Sequence, residues 1–148
     1  MLKLPPPIWA LVYVAVCGAI SWALGWPRLP SLQLAPLGVA LIALGFVLPV
    51  WAFILFRREG TEVNPTSVTN RKLVTGGPYR FTRNPMYLGL VIITLGIAFW
   101  VGAWPMFAAP IAVFVTSNWV HIPFEEAKMR RQFPKDFDDY VRHVRRWV

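Results

Sequence analysis

Gly76-Gly77-Pro78-Tyr79-Arg80-Phe81-Thr82-Arg83-Asn84-Pro85-Met86-Tyr87-Leu88-Gly89 is a charged, aromatic, turn-rich block set between long apolar runs. One helical hairpin further on comes the acidic pair Glu125-Glu126. Between Pro85 and Glu125 the chain holds almost no charge and is broken near its middle by Gly102 and Pro105. The interval therefore reads as two back-to-back membrane-spanning helices of about 18 residues, each roughly 27 Å long and just enough for a hydrocarbon core of about 30 Å. Out and back returns the chain to the same face. Block and acidic pair would then meet at one interface, where water-soluble and lipid-soluble ligands can be taken together.

Working outward, Ile8 to Trp26 (8–26) and Leu34 to Phe56 (34–56) are uncharged and long enough to cross a bilayer. The hairpin supplies spans at about 86–102 and 105–122. Pro105 suits a first helical position, whereas Pro110 should loosen or kink the fourth span. The expected fold is all-α: a single domain over 1–148, an integral membrane bundle of about four transmembrane helices closed by a C-terminal amphipathic interfacial helix over 124–148. In that tail Phe133, Phe137, Tyr140, Val141, Val144, Trp147 and Val148 recur at helical spacing, with Pro134 placed to start the helix. Between spans two and three, residues 57–85 form the candidate ligand loop. Its part from Gly60 to Thr75 is polar and reads as a re-entrant or surface loop, with Asn64-Pro65 and Gly76-Gly77-Pro78 as turn signals.

The composition fits a lipid-embedded chain. Hydrophobic residues make up 56% of the 148, and charged residues only 15%, against roughly 25% in soluble domains. The net charge is +8, and the four-span arrangement places fourteen of the fifteen Lys and Arg on one face, leaving Arg28 on the other. By the positive-inside rule that face, with both termini, is cytoplasmic, which implies a multi-pass protein of the cell (inner) membrane. The charge is thus an orientation signal and an attraction to anionic membrane lipids, and nucleic acid is not an expected partner. The N-terminal run is long for a signal peptide and lacks a clear small-x-small site, so it is expected to be retained as a span. The lone Cys17 lies in an apolar run, and there is no Cys/His spacing for a metal.

Two readings of the block compete. Arg80 and Arg83 with the tyrosines could simply mark the membrane boundary as an aromatic belt. Alternatively, Pro78 and Pro85 bias Gly77 and Asn84 away from helix, freeing backbone groups for a ligand beside Tyr79, Phe81 and Tyr87. Glu125 and Glu126 favour the second reading, because carboxylates at a span end are disfavoured by the helix dipole and are candidates for function. Adjacent helical residues point about 100° apart, so one glutamate can face the bundle while the other meets Lys128 or Arg130. His121 lies one turn before Glu125 and shares its face if the helix runs through Pro123. His143 reads as a surface residue.

Leu73 to Gly89 with its Arg-x-Pro-x-Tyr core, the later Glu125-Glu126, and Phe133 with Tyr140 resemble the isoprenylcysteine carboxyl methyltransferase and phospholipid methyltransferase superfamily, over roughly the second half of the chain. The resemblance implies S-adenosylmethionine as methyl donor and S-adenosylhomocysteine as product, bound at the cytoplasmic end of the bundle. Carried over by position, Leu73, Val74, Tyr79, Asn84, Pro85, Met86 and Tyr87 would line the cofactor site, and Glu125 would reach it from the fourth helix. His121 and Tyr87 are the candidate catalytic groups. Two departures bear on the acceptor. Asn84 stands where the carboxyl-methylating members have a histidine, and His121 where they have a substrate-binding arginine. A prenylcysteine carboxylate would lose that partner, so the expected acceptor is a small lipophilic molecule or a lipid, with a carboxylate, thiol or amine nucleophile. The rival readings are a membrane reductase resembling the sterol reductases and using NADPH, and a membrane scaffold without enzymatic activity.

Overall fold

The computed structural model describes residues 4–60 and 71–148, and the Asn64-Pro65 signal and most of the polar stretch from Gly60 to Thr75 lie outside the described residues. Among the described residues the chain is all-helical, with one isolated backbone bridge between Arg28 and Ala103. Helix α1 covers Pro6–Ala23, α2 Ala35–Glu59, α3 Pro85–Val101, α4 Ala108–Thr116, α5 Ile122–Gln132 and α6 Pro134–His143. A 3₁₀ turn at Gly77–Arg80 precedes α3, and another at Trp104–Phe107 leads into α4. Helix α1, helix α2 and the rod Trp104–Gln132 are long and apolar enough to cross a membrane; α3, at 17 residues, is apolar but shorter.

Helix starts follow the prolines. Pro6, Pro85 and Pro105 sit in first turns, where the missing N–H removes nothing the helix would use. Gly60 and Gly102 end α2 and α3 in the left-handed region (φ 64° and 73°), which only glycine enters at little cost. The expected disturbance at Pro110 does not occur. Pro110 is the third residue of α4, and the preceding 3₁₀ turn leaves no i−4 bond for it to break. The irregularity lies one span-half later, where Ser117–His121 form a π-helical turn. Pro123 follows two residues on and cannot donate to the carbonyl one turn back, a local deficit that a π-bulge absorbs.

The main seam is α2 against α3, antiparallel and built on glycine. Gly38 and Gly45, two turns apart on α2, face Gly96 and Gly89 on α3. A Cβ on Gly38 would lie 2.6 Å from the Trp100 amide nitrogen, and one on Gly89 2.6 Å from both the Gly45 carbonyl oxygen and Pro49 Cδ. The backbones therefore touch directly, the close approach that small residues permit between helices in lipid. Ala52, fully buried, continues the same face of α2. A second core joins α1 to the hairpin through Cys17, Ala98, Ala103, Met106 and Ala109, and Tyr13 Oη pairs with Thr116 Oγ1 at 2.7 Å across it.

The far end of the bundle is tied by backbone bonds, Leu29 N–H to Gly102 O (3.0 Å), Leu34 N–H to Phe99 O (3.1 Å) and Trp104 N–H to Pro27 O (3.3 Å). The near end gathers the start of α1, the end of α2, the start of α3 and the charged end of the rod. At 29 residues the rod is roughly 43 Å long. That exceeds a hydrocarbon core of about 30 Å, so the stretch after Ile122, where Glu125, Glu126, Lys128, Arg130 and Arg131 cluster, stands clear of the apolar segment. The tail is not one helix over 124–148. Residues up to Gln132 belong to α5, Phe133 leaves helical geometry (φ −132°, ψ 61°) because Pro134 disfavours helix at the residue before it, α6 runs to His143, and the last residues form an extended strap.

Candidate ligand cavity at the charged end

A cavity of about 490 Å³ opens at the near end. Its apolar wall includes the proline run Pro5–Pro7, Pro49, Met86, Leu90 and Met129, and its polar rim Lys72, Tyr79, Arg83, Glu125, Glu126, Lys128 and Tyr140. Of the positions expected around a cofactor, Leu73, Val74, Tyr79, Asn84, Met86, Tyr87 and Glu125 all line it. Pro85 does not; it is fully buried at the start of α3, where it fixes the direction of Met86 and Tyr87.

The contact that joins hairpin start to hairpin end is Tyr87 Oη donating to Glu125 Oε1 at 2.6 Å. Burial pushes the Glu125 carboxyl up to about 7, with Glu126 adding to the rise while the Tyr87 hydrogen bond and Lys128 oppose it. A carboxyl desolvated to that degree and aimed at a cavity is poised to accept a cation. Burial, followed by the nearby Glu125 charge, also holds the Tyr79 hydroxyl protonated well above the ordinary tyrosine range; Tyr140 is raised by burial too, less the opposing effect of Arg83. Tyr140 Oη donates to the Tyr79 carbonyl at 2.6 Å, so α6 is latched over the Gly77–Arg80 turn, while the Tyr79 ring packs on Phe56 of α2.

His121 is placed differently. It is buried in the π-turn and stacks on Tyr87 with ring centroids 6.1 Å apart, so it does share a face with Glu125. It does not line the cavity, though Tyr87, on which it stacks, does. Its Nε2 is buried without a partner among the described residues. His143 is exposed and bonds the Asp139 carbonyl within its own helix.

Glu126 does not pair with Arg130, one of its expected partners. It accepts from Arg146 through both oxygens (Nη2 to Oε2 2.6 Å, Nε to Oε1 3.2 Å) and from Arg83 Nη2 at 3.2 Å. Arg130 turns instead to Asp138 of α6. The strap that brings Arg146 back is itself fixed by main-chain acceptors: Arg83 N–H to Arg145 O (3.0 Å), Thr82 Oγ1 to Arg146 O (3.1 Å) and Asn84 Nδ2 to Arg146 O (2.9 Å). Trp147 completes it, donating to Asn118 Oδ1 at 3.0 Å and packing on Phe114. Sequence reading missed this strap. Its signal was present as an Arg-Arg-Trp run beyond the last helix, read there only as part of an amphipathic face.

Among the described residues the chain is an all-helical bundle with apolar helices and an acid-and-tyrosine cavity at its charged end. The sequence profile of the phospholipid methyltransferase family matches residues 34–136, and the chain belongs to that family. It is similar to protein-S-isoprenylcysteine O-methyltransferase B of Arabidopsis thaliana, with 29% identity over 119 residues that cover 72% of this chain and 55% of that protein. The chain thus spans about half the length of this relative. No solved structure matches it significantly. These matches are with methyltransferases and lend no support to the reductase or scaffold readings.

Proposed function

We propose that the protein is an integral-membrane methyltransferase that uses S-adenosylmethionine and acts on a lipophilic or small nucleophilic acceptor at the cytoplasmic end of a four-span bundle. The observation that carries this reading is the Tyr87–Glu125 contact inside a cavity lined by Leu73, Val74, Tyr79, Asn84 and Met86. The cavity volume of about 490 Å³ falls within the roughly 300–1,000 Å³ of small-molecule sites. Glu125 would hold the ammonium of the methionine portion by a charge-assisted hydrogen bond, oriented by Tyr87. The rings of Tyr79 and Tyr87 offer faces on which a sulfonium is favoured. When bound, the cofactor supplies an activated methyl group, so the chain's tasks are to hold, align and exclude water.

The same geometry bears on the acceptor. The proline wall and Leu90 give the cavity an apolar side toward the bundle, fitted to a lipophilic molecule arriving from the membrane. His121 is kept from direct contact by Tyr87, so its role in this reading is to position that ring through stacking. Orientation with the basic end in the cytoplasm follows from the Lys and Arg distribution.

The test is isothermal titration of the detergent-purified protein with S-adenosylhomocysteine, with NADPH as comparison ligand. Micromolar binding that is lost in Glu125→Ala, in a protein with an unchanged melting profile, is the expected result. A folded protein that binds NADPH and not S-adenosylhomocysteine would overturn the reading.

A further inference from the structure

The geometry points to Arg83 as an oxyanion-binding residue of this cavity, on its polar rim together with Glu125. Arg83 lines the cavity, and its side chain is 12% exposed. One contact is made to a carboxylate, Nη2 to Glu126 Oε1 at 3.2 Å. Its Nε is fully buried and has no partner among the described residues. Glu126 does not complete it: that carboxylate receives the Arg146 guanidinium on both oxygens and Arg83 only through Nη2. Two guanidinium groups therefore share one carboxylate.

A buried donor without an acceptor costs more than an ordinary hydrogen bond returns, and a guanidinium fork pairs best with a planar or tetrahedral oxyanion in two-point contact. Arg83 is also fixed in place from behind, since its N–H is bonded to the Arg145 carbonyl and its neighbours Thr82 and Asn84 hold the Arg146 carbonyl. A fixed, under-neutralised guanidinium facing a cavity is prepared for an anion. The chemistry fits two sources, the carboxylate of an amino-acid-bearing cofactor or an anionic headgroup on the acceptor. With Glu125, the first would make the rim a zwitterion clamp, acid to ammonium and guanidinium to carboxylate. The cofactor source rests on the proposed function; the oxyanion site itself does not.

The experiment compares wild type with Arg83→Gln in neutral detergent, using S-adenosylhomocysteine, its decarboxylated analogue and dodecyl phosphate as titrants. If the cofactor carboxylate is the ligand, Arg83→Gln weakens S-adenosylhomocysteine about 10- to 100-fold and leaves the decarboxylated analogue unchanged. If the acceptor's headgroup is the ligand, nucleoside binding is unaffected and dodecyl phosphate binding falls by a similar factor. Loss of dodecyl phosphate binding in a protein that never binds S-adenosylhomocysteine would keep the oxyanion site and sink the cofactor reading. Unchanged binding of all titrants, or no binding of either anion by wild type, overturns the inference. Should Arg83→Gln fail to fold, Arg83→Lys retains the charge at Glu126 without the fork, and a loss of at least about fivefold for the same anion is required of it.

Discussion

The α2–α3 seam and the strap-bound charged end hold the same bundle by opposite means. In the seam, glycine on glycine brings backbones into contact, and a Cβ at any of Gly38, Gly45, Gly89 or Gly96 would lie within 2.9 Å of a main-chain atom of the facing helix. At the charged end the elements line a cavity, and contact is made by long polar side chains: Tyr87 to Glu125, Arg146 and Arg83 to Glu126, Tyr140 to the Tyr79 carbonyl. The difference follows from solvent. Lipid tails give apolar side chains no reason to prefer a neighbouring helix, so close backbone packing must supply the attraction. Near the interface, water competes for every polar group, and only paired or enclosed ones stay ordered. The seam is thus held by backbone contact and the charged end by paired side chains around a cavity.

The seam breaks at its glycines with the largest expected effect. In Gly89→Leu the first side-chain atom would already lie 2.6 Å from the Gly45 carbonyl oxygen, and the backbone behind it cannot yield without separating the helices. Overpacking of this kind costs about 3 kcal/mol or more. The expected outcome is little folded protein after detergent extraction, seen as an aggregated peak on size exclusion and loss of the unfolding transition. Gly18, with open space around it, is the matched control: Gly18→Ala should leave the profile unchanged.

How much of this the sequence carries differs between the two regions. Helix positions were legible because uncharged runs of span length have few other uses, and Pro85, Gly102 and Pro105 mark the hairpin ends to within a residue or two. The glycine seam was not read, although Gly38, Gly45 and Ala52 recur every seven residues on α2 and Gly89 and Gly96 on α3; only pairing of the two series shows that they meet. At the charged end, the meeting of the 76–89 block with the Glu125-Glu126 pair was legible through the hairpin length, while the choice of Tyr87 and Glu125 within them came from the family resemblance. The strap was not. Its bonds to Thr82, Arg83 and Asn84 use carbonyls of the main chain, which any residue offers, so the sequence marks the strap only through the side chains of Arg146 and Trp147. The same holds for Glu126, whose partner was sought on its own helix at turn spacing and found in the tail.

Arg146→Ala would sharpen the contrast. It removes the bidentate partner of Glu126 and leaves that carboxylate to Arg83, while the main-chain bonds of the strap persist. Arg146 is a third exposed, so the loss is that of a partly solvated ion pair, about 1–2 kcal/mol. A lowered melting temperature together with new protease cleavage after His143 is expected. Truncation of the strap at His143 should cost more, because Thr82 and Asn84 then lose their acceptors as well. If both variants melt like wild type, the strap is ornamental.

The charged end also has a pH signature that the seam lacks. With its folded carboxyl raised to about 7 above an ordinary value of 4.5, Glu125 binds a proton more readily in the folded than in the unfolded chain. Its contribution to stability is therefore fully present at low pH and is lost as pH rises through about 7. A cationic ligand reverses the preference, since it pairs with the ionised form. Affinity for S-adenosylhomocysteine should thus rise about tenfold between roughly pH 6 and pH 8, with proton release below pH 7 visible as buffer-dependent heats. Glu125→Gln should abolish the slope. A flat profile in wild type would mean that Glu125 does not meet the ammonium.

The smallest effect separates charge from burial within the roof itself. Helix α6 is attached to α5 by Arg130, which reaches Asp138 at 2.8 Å and lies over the Phe137 ring at 5.6 Å, yet the side chains of both ion-pair partners are about half exposed. Two water-competed contacts of this kind are together worth at most about 1 kcal/mol, falling further with salt. Phe137 beneath them is 4% exposed and lines the cavity, so burial of its ring stabilises the roof more than the charges above it do. Arg130→Ala is accordingly expected to shift melting by no more than about 4 °C and to leave ligand affinity unchanged, while Phe137→Ala lowers both. A reversed ranking would show that the roof is held by its surface charges, and the charged end would then be weakened by salt throughout rather than only at its rim.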